Sequence, residues 1–421
     1  MDPFHLHAGT AHCEELPLRV IAQEVGTPVY VYSTAAMRSN VRALQSALAG
    51  LDDPLIAYAV KANPNTAVLA TLAAEGLGAD IVSGGEYQRA RAGGFPADKI
   101  VMSGVGKTTA EMALALNGGL FQFNLESLPE AEALSQVAVE LGKTAPVAFR
   151  VNPDVAAGSH AKISTGGAHN KFGIPVAEAP AAFDRLKELP GLEIKGVAVH
   201  IGSQLTSLQP LEAAFARLGE LIEALRSRGH SITTADLGGG LGVSYDPSIE
   251  APPSAAEYAA MVSRVTRGWR VRLVFEPGRL IVGNAGVLLT EVIRVKNGPS
   301  HPFVVIDAAM NDLLRPTLYD AWHGIEAVVP RGQTMRADVV GPVCETGDCF
   351  AQARTIDRVE AGDLMMIRTV GAYAATMGST YNSRPLTPEV LVDGDRWAVV
   401  RERQSIESMM AAEKIPQWVR R

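Results

Sequence analysis

PLIAYAVKANPNTAVLATLAAEGLGADIVS, residues 54–83, decides the fold. Its first nine residues form an apolar, β-prone run. TAVLATLAAEGL (66–77) then carries apolar residues at three- and four-residue spacing with glycine near its end, and ADIVS (79–83) is a second β-prone run. A strand, a helix and a strand in thirty residues make one β–α repeat and the start of the next. The rhythm recurs through KIVMSG (99–104), LFQFNLE (120–126), PVAFRVN (146–152), GVAVHIG (196–202), TADLGGG (234–240) and RLVFEPGR (272–279). Helix-like stretches such as SLPEAEALSQVAVELGK (127–143) and LEAAFARLGELIEALRSRG (211–229) lie between them. Eight such units in about 230 residues predict a (β/α)8 barrel.

Beyond residue 280 the long helices stop. GVLLTEVIRVKN (286–297), PFVVIDA (302–308), DVVGPVC (338–344), DLMMIRTVGAYA (363–374) and WAVVRER (397–403) predict a second, largely antiparallel β domain. TPVYVYS (27–33) precedes the barrel count and is assigned to that domain, the alternative being a strand at the barrel floor. The expected class is α/β, with residues 36–280 as the barrel and 1–35 plus 281–421 as the β domain.

With 421 residues, 47% hydrophobic and 20% charged, the chain has ample material for a large core, which excludes disorder as a whole-chain description. No apolar run approaches the roughly 18 residues of a spanning helix. The N-terminus opens on Asp2 and three histidines rather than a basic stretch and an apolar one, so a cytoplasmic protein is expected. Three cysteines, Cys13, Cys344 and Cys349, are too few for a disulfide framework. A net charge of −7 without basic runs makes nucleic acid and anionic membrane poor partners and leaves small molecules. His5, His7 and His12 are read as a mobile arm rather than a metal site, and no metal is expected. Met365, Met366 and Met377 are read as core filling.

In such barrels the C-terminal strand ends carry the chemistry. Lys61, after AYAV, either snorkels from the barrel mouth or is buried with a shifted pKa, able then to form a Schiff base. His200 and Ser203 end the sixth run, Gly238, Gly239 and Gly240 the seventh, and EPGR, Glu276 to Arg279, the eighth. The triple glycine is either a tight turn or a phosphate cradle, and its place after the seventh run favours the cradle. A lysine, a cradle, an aromatic-sized histidine and a carboxylate describe a pyridoxal phosphate site, with Glu276 protonating the pyridine nitrogen to make an electron sink.

AYAVKAN, HIGSQ, DLGGGLG, EPGR, GPVCETGD and GAYAATMGSTYNSRP resemble the barrel-type, alanine racemase-like pyridoxal phosphate decarboxylases, over about residues 27–390. Within that family they look like the diaminopimelate-decarboxylating branch, and RVNPDVAAGSHAKISTGGAHNKFGI (150–174) is similar to its characteristic segment after the fifth strand. The resemblance implies pyridoxal 5′-phosphate as cofactor and meso-2,6-diaminopimelate as substrate, converted to L-lysine and CO2. It implies Lys61 as the Schiff-base lysine, His200 on the ring, Ser203, Gly239, Gly240, Gly278 and Arg279 with the phosphate, and Glu276 on the ring nitrogen. Arg279, Arg315, Tyr319 and Glu345 would bind substrate, Tyr373 both cofactor and substrate, and Cys344 would be the proton donor. It further implies a homodimer in which the CETGD loop reaches a partner's barrel. Thr346 stands where the family often has serine.

Residue chemistry supports part of this. The remote end of the substrate carries a carboxylate and an ammonium, which Arg279 or Arg315 and Glu345 suit. The bland alternatives are a surface ion pair for Arg315 and a buried small hydrophobe for Cys344. Glu345 and Asp348 are expected to keep Cys344 a thiol. Asp80 and Arg150, near strand ends, are read as supporting the cofactor site, or else as ion pairs within the rim. The competing substrates are ornithine, arginine and carboxynorspermidine; a racemase would want arginine at the ring nitrogen.

Overall fold

The computed structural model describes residues 2–156 and 170–419, so residues 157–169 of the segment after the fifth strand lie outside the described residues. The chain divides into two compact units, Met37–Ile281 on the one hand and Met1–Ala36 with Val282–Arg421 on the other.

The first unit is a closed barrel. Its strands are Leu55–Ala59, Gly78–Ile81, Ile100–Met102, Gln122–Leu125, Ala145–Asn152, Leu192–Ala198, Thr234–Asp236 and Arg272–Phe275. Each pairs parallel with the next, and the eighth pairs with the first. The expected barrel is therefore present, with strands shorter than their β-prone runs. The sixth stops at Ala198 and the seventh at Asp236, which leaves His200 and Gly238–Gly240 in the loops at the barrel mouth. Four of the loops at this end of the barrel finish in polar caps. Ser83, Thr108, Ser127 and Ser254 each accept the N–H three residues on, and Thr108 and Ser254 form reciprocal boxes with Glu111 and Glu257. Each cap is worth about 1 kcal/mol and fixes where its loop gives way to a helix.

The second unit is built on a nine-stranded sheet. Along its main path run Cys349–Asp357, Thr334–Val340, Phe303–Ile306, Gly286–Lys296, Val29–Ser33, Glu389–Asp393 and Arg396–Arg401; Leu364–Ile367 and Ile325–Ala327 attach beside them. Most pairs are antiparallel; Phe303–Ile306 with Thr334–Val340, and Val29–Ser33 with Glu389–Asp393, are parallel. The TPVYVYS segment supplies the strand Val29–Ser33, antiparallel to Gly286–Lys296. Met365 and Met366 are buried, while Met377 is half-buried.

The N-terminus corrects the expectation of a mobile arm. Phe4–His7 and Thr10–Cys13 form an antiparallel hairpin extended by Leu16–Pro17. Phe4, Ala11 and Cys13 plug into a core with Leu18, Ile21 and Val29. Ala8 and Gly9, at φ 47° and 80°, supply the two positive-φ residues that a tight hairpin turn requires. His5 and His12 stack with ring centres 6.1 Å apart. Among the described residues no group of three or more His, Cys, Asp or Glu is placed to hold a metal.

Candidate active site

The barrel mouth gathers groups that the sequence scatters. Lys61 sits in a single 3-10 turn just after the first strand, and its Nζ lies 2.9 Å from Asp80 Oδ2 at the second strand. The lysine is half-buried and the aspartate fully buried. The other Asp80 oxygen, Oδ1, is buried without a hydrogen-bond partner among the described residues. Lys61, Asn124, Arg150, His200, Asp236 and Glu276 line one cavity of about 350 Å³.

Glu276 and Asp236 are both buried in it, at 8% and 1% exposure. Glu276 Oε1 accepts from Ser103 Oγ at 3.2 Å and Asn124 Nδ2 at 3.3 Å. Burial and the charges of Asp236 and Asp80 push the Glu276 carboxyl well above its usual range, against the opposing pull of Lys61. Asp236 is pushed up to about 6 by burial, while hydrogen bonds from Glu276, Asn124 and the Gly238 N–H pull it down. Glu276 therefore carries the proton and donates it to Asp236.

Burial, with help from Arg150 and Lys61, holds the His200 imidazole well below its ordinary pKa. It is neutral, and its Nδ1 accepts the Gly239 N–H at 3.2 Å, which leaves the ring proton on Nε2. Arg150 pairs with Glu126 at 2.8 Å and donates to the His200 carbonyl at 3.2 Å, so it fixes the loop that carries the imidazole. The glycines are demanded by packing. A Cβ on Gly239 would lie 2.2 Å from the Glu276 carbonyl oxygen, and one on Gly240, at φ +120°, would lie 2.6 Å from that of Gly202. Gly278 and Arg279 are buried in the EPGR turn, and Arg279 donates to Ser203 Oγ at 3.2 Å and to the Tyr245 hydroxyl.

The remaining candidates belong to the β unit. Arg315 is buried, not a surface ion pair. Its Nε is 3.4 Å from His323 Nε2, and its guanidinium carbon is 5.8 Å from the Tyr319 ring centre. Cys344 and Glu345 are exposed, which excludes the buried-hydrophobe reading of the thiol. Asp348, expected to act on that thiol, is buried and spent on backbone: it accepts the N–H groups of Val343 at 2.7 Å and Met310 at 2.6 Å. Thr317 ties the Arg315 helix to this turn through the Gly347 carbonyl at 2.7 Å. The Tyr381 hydroxyl hydrogen-bonds Glu345, which raises its pKa. Tyr373 is half-buried at φ 54°, a left-handed conformation costly for a side chain of its size. The sequence reading passed over Ser103, which directly follows the third strand, and Asn124 and Asp236, which lie on strands that alternate polar and apolar residues.

The pyridoxal-binding domain of the pyridoxal-dependent decarboxylases matches residues 35–283. The chain is 54% identical to the diaminopimelate decarboxylase of Zymomonas mobilis over 421 residues, covering 100% of each. It belongs to the diaminopimelate decarboxylase family. Among solved members, that of Helicobacter pylori in complex with L-lysine is similar at 37% identity and TM-score 0.90, covering 94% of this chain and 98% of that one. The member from M. jannaschii in co-complex with L-lysine is similar at 34% identity and TM-score 0.94, covering 98% of each.

The cofactor of the family is pyridoxal 5′-phosphate, and the residues present fit it. The cavity offers a primary amine, paired with Asp80 beside it, and the buried carboxyl pair Asp236 and Glu276, which suits a ring that carries a positive nitrogen.

Proposed function

We propose a division of labour among these residues in a chain that decarboxylates meso-2,6-diaminopimelate to L-lysine and CO2. The observation that carries it is the Lys61 amine sharing one cavity with the Glu276–Asp236 pair. Pyridoxal 5′-phosphate, when bound, supplies a conjugated ring that takes up the electron pair left by departing CO2. Lys61 Nζ would hold its aldehyde carbon, paired before binding with Asp80. Glu276 would hold a proton at the ring nitrogen, His200 would lie on the ring as a neutral imidazole, and Ser203, Gly239, Gly240, Gly278 and Arg279 would bind the phosphate. Arg279, Arg315, Tyr319, Glu345 and Tyr373 would bind substrate. A guanidinium fork for the remote carboxylate gives selectivity, because a substrate lacking that carboxylate leaves the donors of the fork unpaired, and a carboxylate for the remote ammonium adds to it.

Cys344 would return a proton to the reacting carbon after CO2 leaves. Its exposure, with that of Glu345, supports a homodimer in which this turn serves a partner chain's barrel and the β unit completes the site. The cytoplasm is the proposed compartment, as the three cysteines are free and call for no oxidising environment. No helix among the described residues is long and apolar enough to cross a membrane.

The test is lysine and CO2 release from meso-diaminopimelate beside ornithine, arginine and the LL isomer. Turnover of the meso compound alone is expected; equal turnover of ornithine sinks the assignment of the remote-end residues.

A further inference from the structure

Barrel interiors are filled chiefly by bulky aliphatic side chains, and a polar group there costs free energy unless it is hydrogen-bonded. This barrel holds a polar column. Gln122 and Asn124, two apart on the fourth strand, share its inner face, as Thr234 and Asp236 do on the seventh. All four are buried. Thr234 Oγ1 donates to Gln122 Oε1 at 2.7 Å, and Gln122 Nε2 donates to Asn124 Oδ1 at 2.8 Å. Asn124 Nδ2 then faces Asp236 Oδ2 at 2.7 Å, Ser103 Oγ at 3.1 Å and Glu276 Oε1 at 3.3 Å. The direction of the column is fixed at its upper end: an ionised carboxylate only accepts, so Asn124 must turn its NH2 upward and take its own donor from Gln122. Asp236 is held from its other side by the Gly238 N–H at 2.9 Å.

One amide thus serves two carboxylates from different strands. We propose that Asp236 is a positioning residue for Glu276, acting through the hydrogen bond it accepts from Glu276 and through the Asn124 amide that both carboxyls share. Asp236 keeps a negative charge behind the Glu276 carboxyl, and Asn124 fixes the Glu276 side chain at the cavity wall. Lys61 and Asp80 are the other charged groups of this cluster. The inference rests on the proposed pairing of Glu276 with the ring nitrogen, and it concerns which residues hold Glu276 in place and charge-matched for that task.

The experiment compares affinity of the full-length protein, stripped of cofactor, for pyridoxal 5′-phosphate and for its 1-deaza analogue, whose ring carries C–H in place of nitrogen. Wild type is expected to prefer the natural ring. Asp236→Asn and Asn124→Leu are each expected to weaken the natural cofactor roughly tenfold or more and leave the analogue within about twofold, because only the nitrogen ring meets the Glu276 carboxyl that they hold. Because Asp236 and Asn124 belong to one network around Glu276, the double variant should be no more than about twofold worse than the worse single one. With cofactor saturating, kcat should fall while KM for diaminopimelate stays within about twofold. Equal weakening of both cofactor forms, or losses that multiply in the double variant, overturn the proposal. If Asp236→Asn does not fold, isosteric Thr234→Val carries the test: a loss confined to the natural ring supports it, and no loss or a loss shared by both rings overturns it. Glu276→Gln separates this inference from its foundation. If Glu276→Gln keeps the preference for nitrogen, the Glu276 reading itself fails; if it abolishes the preference while Asp236→Asn and Asn124→Leu keep it, the role of Asp236 alone falls.

Discussion

In the barrel mouth the chemistry-bearing carboxylates, Glu276, Asp236 and Asp80, are buried at 8%, 1% and 0% exposure. In the β unit Cys344 and Glu345 stand exposed on a turn whose own carboxylate, Asp348, is buried at 3%. The barrel obtains its reactivity from burial itself: withdrawal from water raises Glu276 and Asp236 and lowers His200, and each shift prepares a protonation state. The turn spends its buried charge on backbone N–H groups and presents Cys344 and Glu345 at the surface. One region is tuned by its surroundings; the other is presented by its frame.

The comparison breaks most visibly at Lys61. Lys61→Ala is expected to remove the visible absorbance of bound cofactor and all measurable turnover while the fold persists by circular dichroism; retention of both features would take Lys61 out of the site. Glu276→Gln is expected to bind cofactor and lose roughly 10²-fold in kcat, equivalent to about 2.7 kcal/mol of barrier. An unchanged kcat would mean that burial of Glu276 serves structure alone.

Asp348→Asn probes the frame. It keeps the shape but puts an NH2, which cannot accept, in place of one accepting oxygen, so one of the two backbone N–H groups loses its partner and a stability loss of about 1–3 kcal/mol is expected. Turnover should fall with cofactor affinity unchanged. Cofactor loss instead would erase the distinction between the regions.

The smallest effect is one of pH on the cofactor-free protein. The folded state holds the Asp236 proton more tightly than the unfolded chain, with pKa about 6 against 3.8. The stability contributed by that proton is full below about 4 and is lost as pH rises through about 6. Asp236→Asn should therefore flatten the fall in Tm between those values relative to wild type, and an identical slope in both proteins would remove Asp236 from the titrating set.

How much of this the sequence discloses follows the same division. Lys61, His200, the glycine triplet and EPGR are legible because each follows an apolar run, and a parallel barrel puts its chemistry there. The runs overreach the strands because VAVHIG and LGGG stay apolar after the ladder has ended. Asn124 and Asp236 are illegible for a related reason: QFNL and TAD alternate polar and apolar residues, which reads as a half-solvated strand, and only closure of the barrel shows that the two polar faces turn inward and meet. The N-terminal hairpin is hidden because its buried positions include small Ala11 and Cys13 among histidines, which reads as a polar tail. In the β unit CETGD is legible as a motif, yet nothing in its composition says that Asp348 turns inward while Cys344 turns outward.

The central claim is that the barrel mouth of one chain and the exposed Cys344 turn of another form one site. Lys61→Ala and Cys344→Ala proteins, each nearly inactive, can be mixed under conditions shown to exchange subunits. Random exchange makes half of the dimers mixed, each with one intact site of two, so recovery of roughly a quarter of wild-type lysine formation is predicted. No recovery, with subunit exchange demonstrated in the same sample, would contradict the account and confine the site to a single chain.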